Sequence, residues 1–571
     1  MEEKFKSKYH RSSPIRDFDI NQTLYEAVIN TNEKNANYKY ASFLKRSKNY
    51  KYLKNEADKL STALKHDGVK DGDKVGVCLL TVPEVDTVLL GVNKLGAQSC
   101  WMAANSSPED MVKYIKENNI KELIISSPLK PLIDNVINQT NLQRVILVSP
   151  INFLCSILTK FKKYEDDRYI DYANFINVEN DKSIKCAKYD KEKPTLSVQS
   201  SGSTGKSKTI VHTDYNFNSE ILKMAYADLP FFEKKKAFVC APPWVIYGLV
   251  NSIYSGLIFG METVFSLKPE ENMIYKNMGN FNLVYGVPVY YRYLYDKIME
   301  LEKSDKLKDK KELQKLLNQL DKIEVFISGG DKIAEEELIK WQQKFRTPIV
   351  NGYGNNEVVG AAIVSPMFAN KPGSIGVPMY GINAKTFDPD TEEMLEDGKL
   401  GELYINSDSL FTEYLNNPEE TNNIKTTAYG KDWVKTGDLA YIDKDGYVHL
   451  KGRTRRLIID KLGYKISPDN IENVISNLEY VKECVVVGVE VAENDMVPYA
   501  FVELNDEYKN NEQVLKIIEE ECIKKLKDYE IPKFIKEEKI PHKENGGKRD
   551  FLLLEQMAKE NIKAKQKTLK K

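Results

Sequence analysis

The run Ser200, Ser201, Gly202, Ser203, Thr204, Gly205, Lys206, Ser207, Lys208 gathers small residues, hydroxyls and two ammonium groups in one place. Small side chains let successive backbone N–H groups turn toward a single anion, the hydroxyls of Ser203 and Thr204 add donors, and Lys206 and Lys208 add positive charge. That is the chemistry of a polyphosphate cradle. A Walker A loop requires glycine where this chain has Ser200, so the P-loop kinase and GTPase reading fails. A serine- and glycine-rich run is equally at home in a linker, and the cradle therefore needs company further along the chain.

The company follows in order. Asn351-Gly352-Tyr353-Gly354-Asn355-Asn356-Glu357 offers an aromatic face for a base, glycines that permit close approach, amide donors and a carboxylate able to hold magnesium. Lys435-Thr436-Gly437-Asp438 supplies a carboxylate suited to two ribose hydroxyls, and Arg453 adds a donor of fixed charge. Near the end, Pro541-His542-Lys543-Glu544-Asn545-Gly546-Gly547-Lys548 puts a lysine on a glycine-rich loop. Most lysines are solvated surface residues, and only its place in this series singles out Lys548.

These residues need a scaffold. Leu53, Ala57, Leu60 and Leu64 recur at helical spacing, Gly68 ends the pattern, and the apolar strand from Val75 to Leu80 follows. Ser107 reads as an N-cap with Pro108 at the first helical position, and Leu123-Ile124-Ile125 and Val145 to Val148 read as further strands. Apolar strands alternating with helices imply a parallel sheet covered on both faces, so the first two-thirds is an α/β body. After about residue 430 the texture changes. Asp443-Lys444-Asp445-Gly446 reads as a hairpin turn, Val485 to Val489 and Ala500 to Leu504 as short strands, and Val514, Ile518, Cys522 and Leu526 as one helix face. The expected fold class is α/β, a large multi-sheet N-terminal body followed by a smaller, mobile α+β C-terminal domain.

Composition narrows the function. Among 571 residues, 83 lysines and arginines oppose 84 acidic residues, a formal net charge of −1, and no global field draws the molecule to nucleic acid or an anionic membrane. The seven cysteines form no C-x-x-C pair, which argues against a zinc ribbon or disulfide framework and fits a reducing cytoplasm. No secretory signal is read at the N-terminus. Residues 237–261 carry no charged side chain, but Pro242, Pro243, Asn251 and Ser252 interrupt them, so a buried helix is expected there and no membrane span.

Taken together, the chain resembles the adenylate-forming superfamily of acyl-CoA synthetases, peptide-synthetase adenylation domains and firefly luciferase. The resemblance runs from about Tyr40 to about Leu554. It includes Trp244-Val245-Ile246-Tyr247-Gly248-Leu249, Ser328-Gly329-Gly330-Asp331, Tyr414-Leu415-Asn416-Asn417-Pro418-Glu419 and Gly547-Lys548, beside the segments above. It implies a ligase that uses ATP, magnesium, a small carboxylic acid and coenzyme A, with a domain of residues 1–453 and a mobile one of residues 454–571. By the same resemblance Ser200 to Lys208 wrap phosphates and Glu357 holds magnesium. Tyr353, Gly354, Asn355 and Asn356 meet the adenine side, Asp438 and Arg453 hold the ribose, and Tyr247, Gly329 and Gly330 border the acyl group. The resemblance also implies that Lys548 is the catalytic residue, Arg455 the hinge, and Gly463 and Tyr464 part of the loop shown to coenzyme A.

Departures from the family's commonest forms refine the expectation. Ser207 and Thr209 stand where proline and glycine are frequent, Asn356 where threonine is, Val245 where many members have histidine, and Arg455 where aspartate or lysine is usual. No carboxylate near Trp244, Val245 and Ile246 can pair with a substrate ammonium, which disfavours an α-amino acid. Tyr247, Tyr290 and the glycine pair suggest an uncharged aliphatic or aromatic acyl group. Two alternatives remain: an acyl-AMP ligase that loads a separate carrier protein, and a nucleotide-binding paralogue without ligase chemistry.

Overall fold

The computed structural model describes residues 18–569 apart from 155–163, 200–207, 228, 268–271, 280, 332, 457, 460–464, 493–494, 510, 512 and 543–548. Two compact units emerge: Met1–Ala384 with Ile405–Val434 and Gly446–Val448, and Lys385–Tyr404 with Lys435–Asp445 and His449–Lys571.

Local signals account for the elements of the first unit. Helix Tyr50–His66 buries Leu53, Ala57, Leu60 and Leu64 and is capped by the Asn49 side chain, and Gly68 beyond it takes a left-handed φ of 102°. Helix Pro108–Glu117 starts at Ser107, whose hydroxyl accepts the N–H of Asp110 at 3.1 Å. Most of its described strands fall in two sheets. One has the order Val377–Pro378, Gly360–Val364, Ile349–Asn355, Val325–Ser328, Leu283–Gly286, Lys236–Val239, Glu262–Phe265, Lys39–Phe43, Arg46–Asn49; its centre is parallel and its ends antiparallel. The other runs Glu413–Tyr414, Thr209–Thr213, Pro194–Gln199, Gln98–Trp101, Lys74–Cys78, Glu122–Ser126, Arg144–Val148, Tyr169–Asp171, and is parallel from Pro194–Gln199 onward. Helices Pro288–Lys303, Leu307–Leu320 and Glu335–Lys344 bury Leu294, Leu316 and Trp341 against Phe238, Val284 and Phe326 of the first sheet. Covered parallel strands are the arrangement that unbroken apolar runs dictate.

Residues 237–261 divide into a strand, a π-helical segment Tyr247–Tyr254, a short helix Ser255–Ile258 and the turn into Glu262–Phe265. The helical part is buried in the protein, and no described helix is long and apolar enough to cross a membrane.

In the second unit Val481–Ala492 pairs antiparallel with Asp495–Leu504, which pairs in parallel with Lys533–Glu537. Alternation along the first strand divides its side chains. Cys484 and Val486 join Ile471, Ile475 and Ile518 on one face, while Val485, Val487 and Val489 meet Ile540, Leu554 and Ala558 on the other. Helices Pro468–Ser476 and Val514–Lys525 thus cover one side and Phe551–Leu569 the other. The acidic turn Asp443 to Gly446 joins strands Lys431–Ile442 and Val448–Arg453, with Gly446 at φ 88°.

Helix Glu84–Lys94 opens with a buried carboxyl, and one oxygen of Glu84 has no hydrogen-bond partner among the described residues. Burial pushes Glu84 up to about 8, helped by the nearby Glu56 and opposed by the backbone amides of Glu84 and Phe153. The unfolded chain releases this proton near 4.5 and the folded chain keeps it to about 8. Its contribution to stability is therefore complete below the lower value and lost as pH rises through the higher one. Glu84→Gln, which cannot titrate, is expected to flatten this slope: chemical denaturation should show the variant gaining on the parent between pH 5 and pH 8.

Candidate functional site

Residues Ser200, Ser201, Gly202, Ser203, Thr204, Gly205, Lys206, Gly463, Tyr464 and Lys548 lie outside the described residues. Their flanks are described. Strands Pro194–Gln199 and Thr209–Thr213 pair antiparallel with Gln199 opposite Thr209, so the two ends of the expected phosphate loop are held side by side.

Tyr353, Gly354 and Asn355 close strand Ile349–Asn355, and Asn356 and Glu357 form the turn into Gly360–Val364. A Cβ on Gly354 would fall 1.5 Å from the Gly360 carbonyl oxygen, and one on Gly360 2.0 Å from Asn251 Oδ1. Only glycine fits at either position. The turn also holds Val359 at φ 64°, a conformation that costs a β-branched residue roughly 1–3 kcal/mol and is found where surrounding packing over-determines the backbone. Asn355 Oδ1 accepts the Val358 N–H at 3.0 Å, and Asn356 Oδ1 accepts that of Ile246 at 3.4 Å. With its oxygen so engaged, Asn356 directs its amide N–H groups elsewhere, which suits a donor to an anion.

Behind the turn lies a buried polar network. Asn251 Nδ2 donates to Glu220 at 2.9 Å, Lys223 donates to the hydroxyls of Ser407 and Ser409, and Ser409 donates to the Val358 carbonyl at 3.2 Å. Burial raises the Glu220 carboxyl and lowers the Lys223 ammonium. The turn that carries Glu357 is thus braced from the interior through both Val358 and Gly360.

Glu357 is held from the other side by Tyr414, whose hydroxyl donates to Oε1 at 2.8 Å, while the Glu357 carbonyl accepts the Phe411 N–H at 2.7 Å. Strand Glu413–Tyr414 pairs with Thr209–Thr213, the strand that leaves the phosphate loop. Lys208 stands over the Tyr414 ring, 4.7 Å from its centroid, and forms an ion pair with Glu420. Glu357, Tyr414, Lys208 and Glu420 therefore make one continuous chain of contacts.

Tyr247 and Gly329 meet directly: a Cβ on Gly329 would lie 2.9 Å from the tyrosine ring, whose hydroxyl donates to the carbonyls of Ile327 at 2.9 Å and Gly286 at 3.1 Å. Gly330 follows at φ 80°. Tyr290 is a core residue, packed with Tyr291 and Leu294.

In the second unit Asp438 and Arg453 are paired, Nε to Oδ1 at 2.9 Å. The Thr436 hydroxyl orients this segment by accepting the Asp438 N–H at 3.1 Å and donating to Leu403 O at 2.7 Å, and Glu402 accepts the Gly437 N–H at 3.0 Å. Arg455 lies in the turn Thr454–Arg456 of the same unit.

The described residues include no group of three His, Cys, Asp or Glu able to cage a metal. A lone fixed carboxylate such as Glu357 instead suits magnesium, which keeps its waters and binds through one or two carboxylates and the phosphates of a nucleotide. Sequence motifs give no role to Tyr414, Asn251, Glu220 or Lys223. Tyr414 lies inside a segment that carries the resemblance, but nothing in its spacing indicates a partner across the fold.

Residues 26–415 match the family model of the AMP-binding enzyme, and residues 470–546 match that of the AMP-binding enzyme C-terminal domain. The chain is 26% identical over 496 residues to the uncharacterized acyl-CoA ligase YtcI of Bacillus subtilis strain 168, covering 85% of this chain and 86% of that one. It is 26% identical over 457 residues to 4-coumarate–CoA ligase-like 8 of Arabidopsis thaliana, covering 78% and 76%. Among solved structures, the anthranilate CoA ligase AuaEII in complex with anthranoyl-AMP superposes with a TM-score of 0.79 at 21% identity over 96% of this chain and 99% of that one, which establishes a common fold.

A hydrogen bond to a charged acceptor contributes about 1.5–3 kcal/mol. Tyr414→Phe is expected to lower the unfolding free energy by that order, read by chemical denaturation.

Proposed function

Because the chain belongs to the AMP-binding enzyme family, we propose that it is an acid–thiol ligase that activates a small carboxylic acid with ATP and passes the acyl group to coenzyme A. The observation that carries this reading is the contact chain from Glu357 through Tyr414 to Lys208, which ties the expected magnesium carboxylate to the end of the expected phosphate loop. The names of the relatives support it.

In the first step a carboxylate oxygen attacks the α-phosphorus of ATP, the bond to the β-phosphate oxygen breaks, and pyrophosphate leaves. In the second a thiolate attacks the acyl carbonyl and AMP departs, leaving a thioester. Residues 200–208 cradle the phosphates and Tyr353 lies on the adenine, with Asn356 donating to the phosphate nearest the acid. Asp438 accepts from the ribose hydroxyls with Arg453 beside it. Glu357 would hold magnesium, and such an ion would supply positive charge against that of the phosphates. Tyr247 and Gly329 border an uncharged aliphatic or aromatic acyl group.

Two anions must approach one another in the first step, and negative charge accumulates on the α-phosphoryl oxygens. A preorganised ammonium acts most strongly in that state, and this is the role of Lys548 in a mobile domain of residues 454–571 that pivots at Arg455 and then presents Gly463 and Tyr464 to the thiol. Lys548→Ala is expected to lower ATP–pyrophosphate exchange on the order of a hundred- to a thousand-fold without loss of circular-dichroism signal. An unchanged exchange rate would refute the assignment.

The acid and the thiol are read out together. Purified protein with ATP, magnesium and a panel of aliphatic and aryl acids should release AMP in a manner that depends on coenzyme A. Exchange without turnover on coenzyme A would point instead to a carrier-protein thiol, and nucleotide binding alone to a paralogue without ligase chemistry. Arg455→Pro, which fixes φ, is expected to slow thioester formation more than adenylation in the same assays.

A further inference from the structure

Among the described residues of the second unit, a dense cluster of charge surrounds one buried carboxylate. Glu472, on helix Pro468–Ser476, is 7% exposed. Its Oε1 accepts Arg456 Nη2 at 2.6 Å and the Val486 N–H at 2.7 Å, and its Oε2 lies 3.3 Å from Arg549 Nη1. Arg456 also pairs with Asp469 at 2.5 Å, donates to Val486 O at 3.0 Å and stands over the Phe551 ring. Arg549 Nε reaches Glu483 at 2.9 Å, and His542 Nε2 approaches the same Glu483 oxygen at 3.3 Å.

The places of these arginines in the chain make the cluster more than a local ion network. Arg549 follows Lys548 directly, and Arg456 follows Arg455. His542 and Arg549 form an antiparallel bridge, and the Asp550 N–H donates to Pro541 O at 3.0 Å, so the two ends of the segment 543–548 are joined. A guanidinium offers several donors in a planar fork, which fixes direction as well as distance. Burial pushes Glu472 above the usual carboxylate range while Arg456 and Arg549 pull it back.

We infer that Glu472 is a positioning residue for the adenylation step, a single carboxylate that locks the neighbour of the pivot to the neighbour of the catalytic lysine. The inference rests on the role proposed for Lys548. Rotation at Arg455 then carries the attachment point of Lys548 as a rigid lever, and the acyl transfer, which does not use this lysine, is indifferent to the lock.

Glu472→Gln keeps the shape of the side chain and removes its charge. Expected is a loss of at least about tenfold in kcat for ATP–pyrophosphate exchange, with KM for ATP and acid within twofold. Acyl transfer to coenzyme A from chemically prepared acyl-adenylate should also stay within about twofold. A merely structural role would lower both half-reactions together, since one unit serves both, and that result overturns the proposal, as does unchanged exchange. Should Glu472→Gln fail to fold by circular dichroism, Arg549→Lys, which keeps the charge and loses the fork, takes its place with the same criteria. A second readout is independent of activity. Limited trypsinolysis of the full chain, followed by mass spectrometry, should show cleavage after Lys543 or Lys548 several-fold faster in the variant, and equal rates overturn the lock. If Lys548→Ala exchanges like the parent, the ligase assignment fails separately and the cleavage rates still decide whether the lock exists.

Discussion

The closeness of Gly354 and Gly360 is the constraint on which the first unit's site depends. No side chain fits between these two backbones. Their approach forces the chain to reverse within Asn356 to Val359, and the reversal throws Glu357 toward the strand that leaves residues 200–207. Val359 bears the strain of the turn, and the interior network of Asn251, Glu220, Lys223 and Ser409 holds it there. Strained backbone persists where the surroundings leave it no alternative, and such places concentrate at ligand clamps.

With a net charge of −1 the molecule has no overall field to draw anions, so each charged site must be built locally. It is built by pairing. Lys208 is held by Glu420 and a tyrosine face, Arg453 by Asp438, and Arg456 and Arg549 by Glu472. A paired cation gives up little further freedom when an anionic ligand arrives, whereas a free lysine must lose rotamer entropy in the same event. Pairing also explains how a chain with so many lysines can keep a few of them distinct.

Periodicity made the scaffold legible. Leu53, Ala57, Leu60 and Leu64, the Ser107 cap, and the apolar strands around Val77, Ile124 and Ile146 all appear where their spacing places them, because burial of an apolar face leaves little choice of period. The π-helical start of residues 247–254 was not legible. Gly248 within it lies against the Pro242 carbonyl, a contact that spacing does not encode. Motif order marked Tyr353 to Glu357, Asp438 and Arg453 as site residues, and the Asp438–Arg453 pair and the meeting of Tyr247 with Gly329 are contacts between residues so marked. Tyr414, Glu220 and Glu472 escaped notice for a common reason. Each acts through a partner far away in sequence, and nothing about a single tyrosine or glutamate announces its partner.

The same reasoning bears on the surroundings of Lys548, the lysine proposed to act in adenylation. Gly546 and Gly547 precede Lys548, and glycine has more backbone freedom to lose than any other residue. The flanks of this segment are tied together, for His542 bridges Arg549 and Arg549 reaches two carboxylates. Placing the shared carboxylate on a helix whose Ile471 and Ile475 are wholly buried then makes the restraint as rigid as the core of the unit itself.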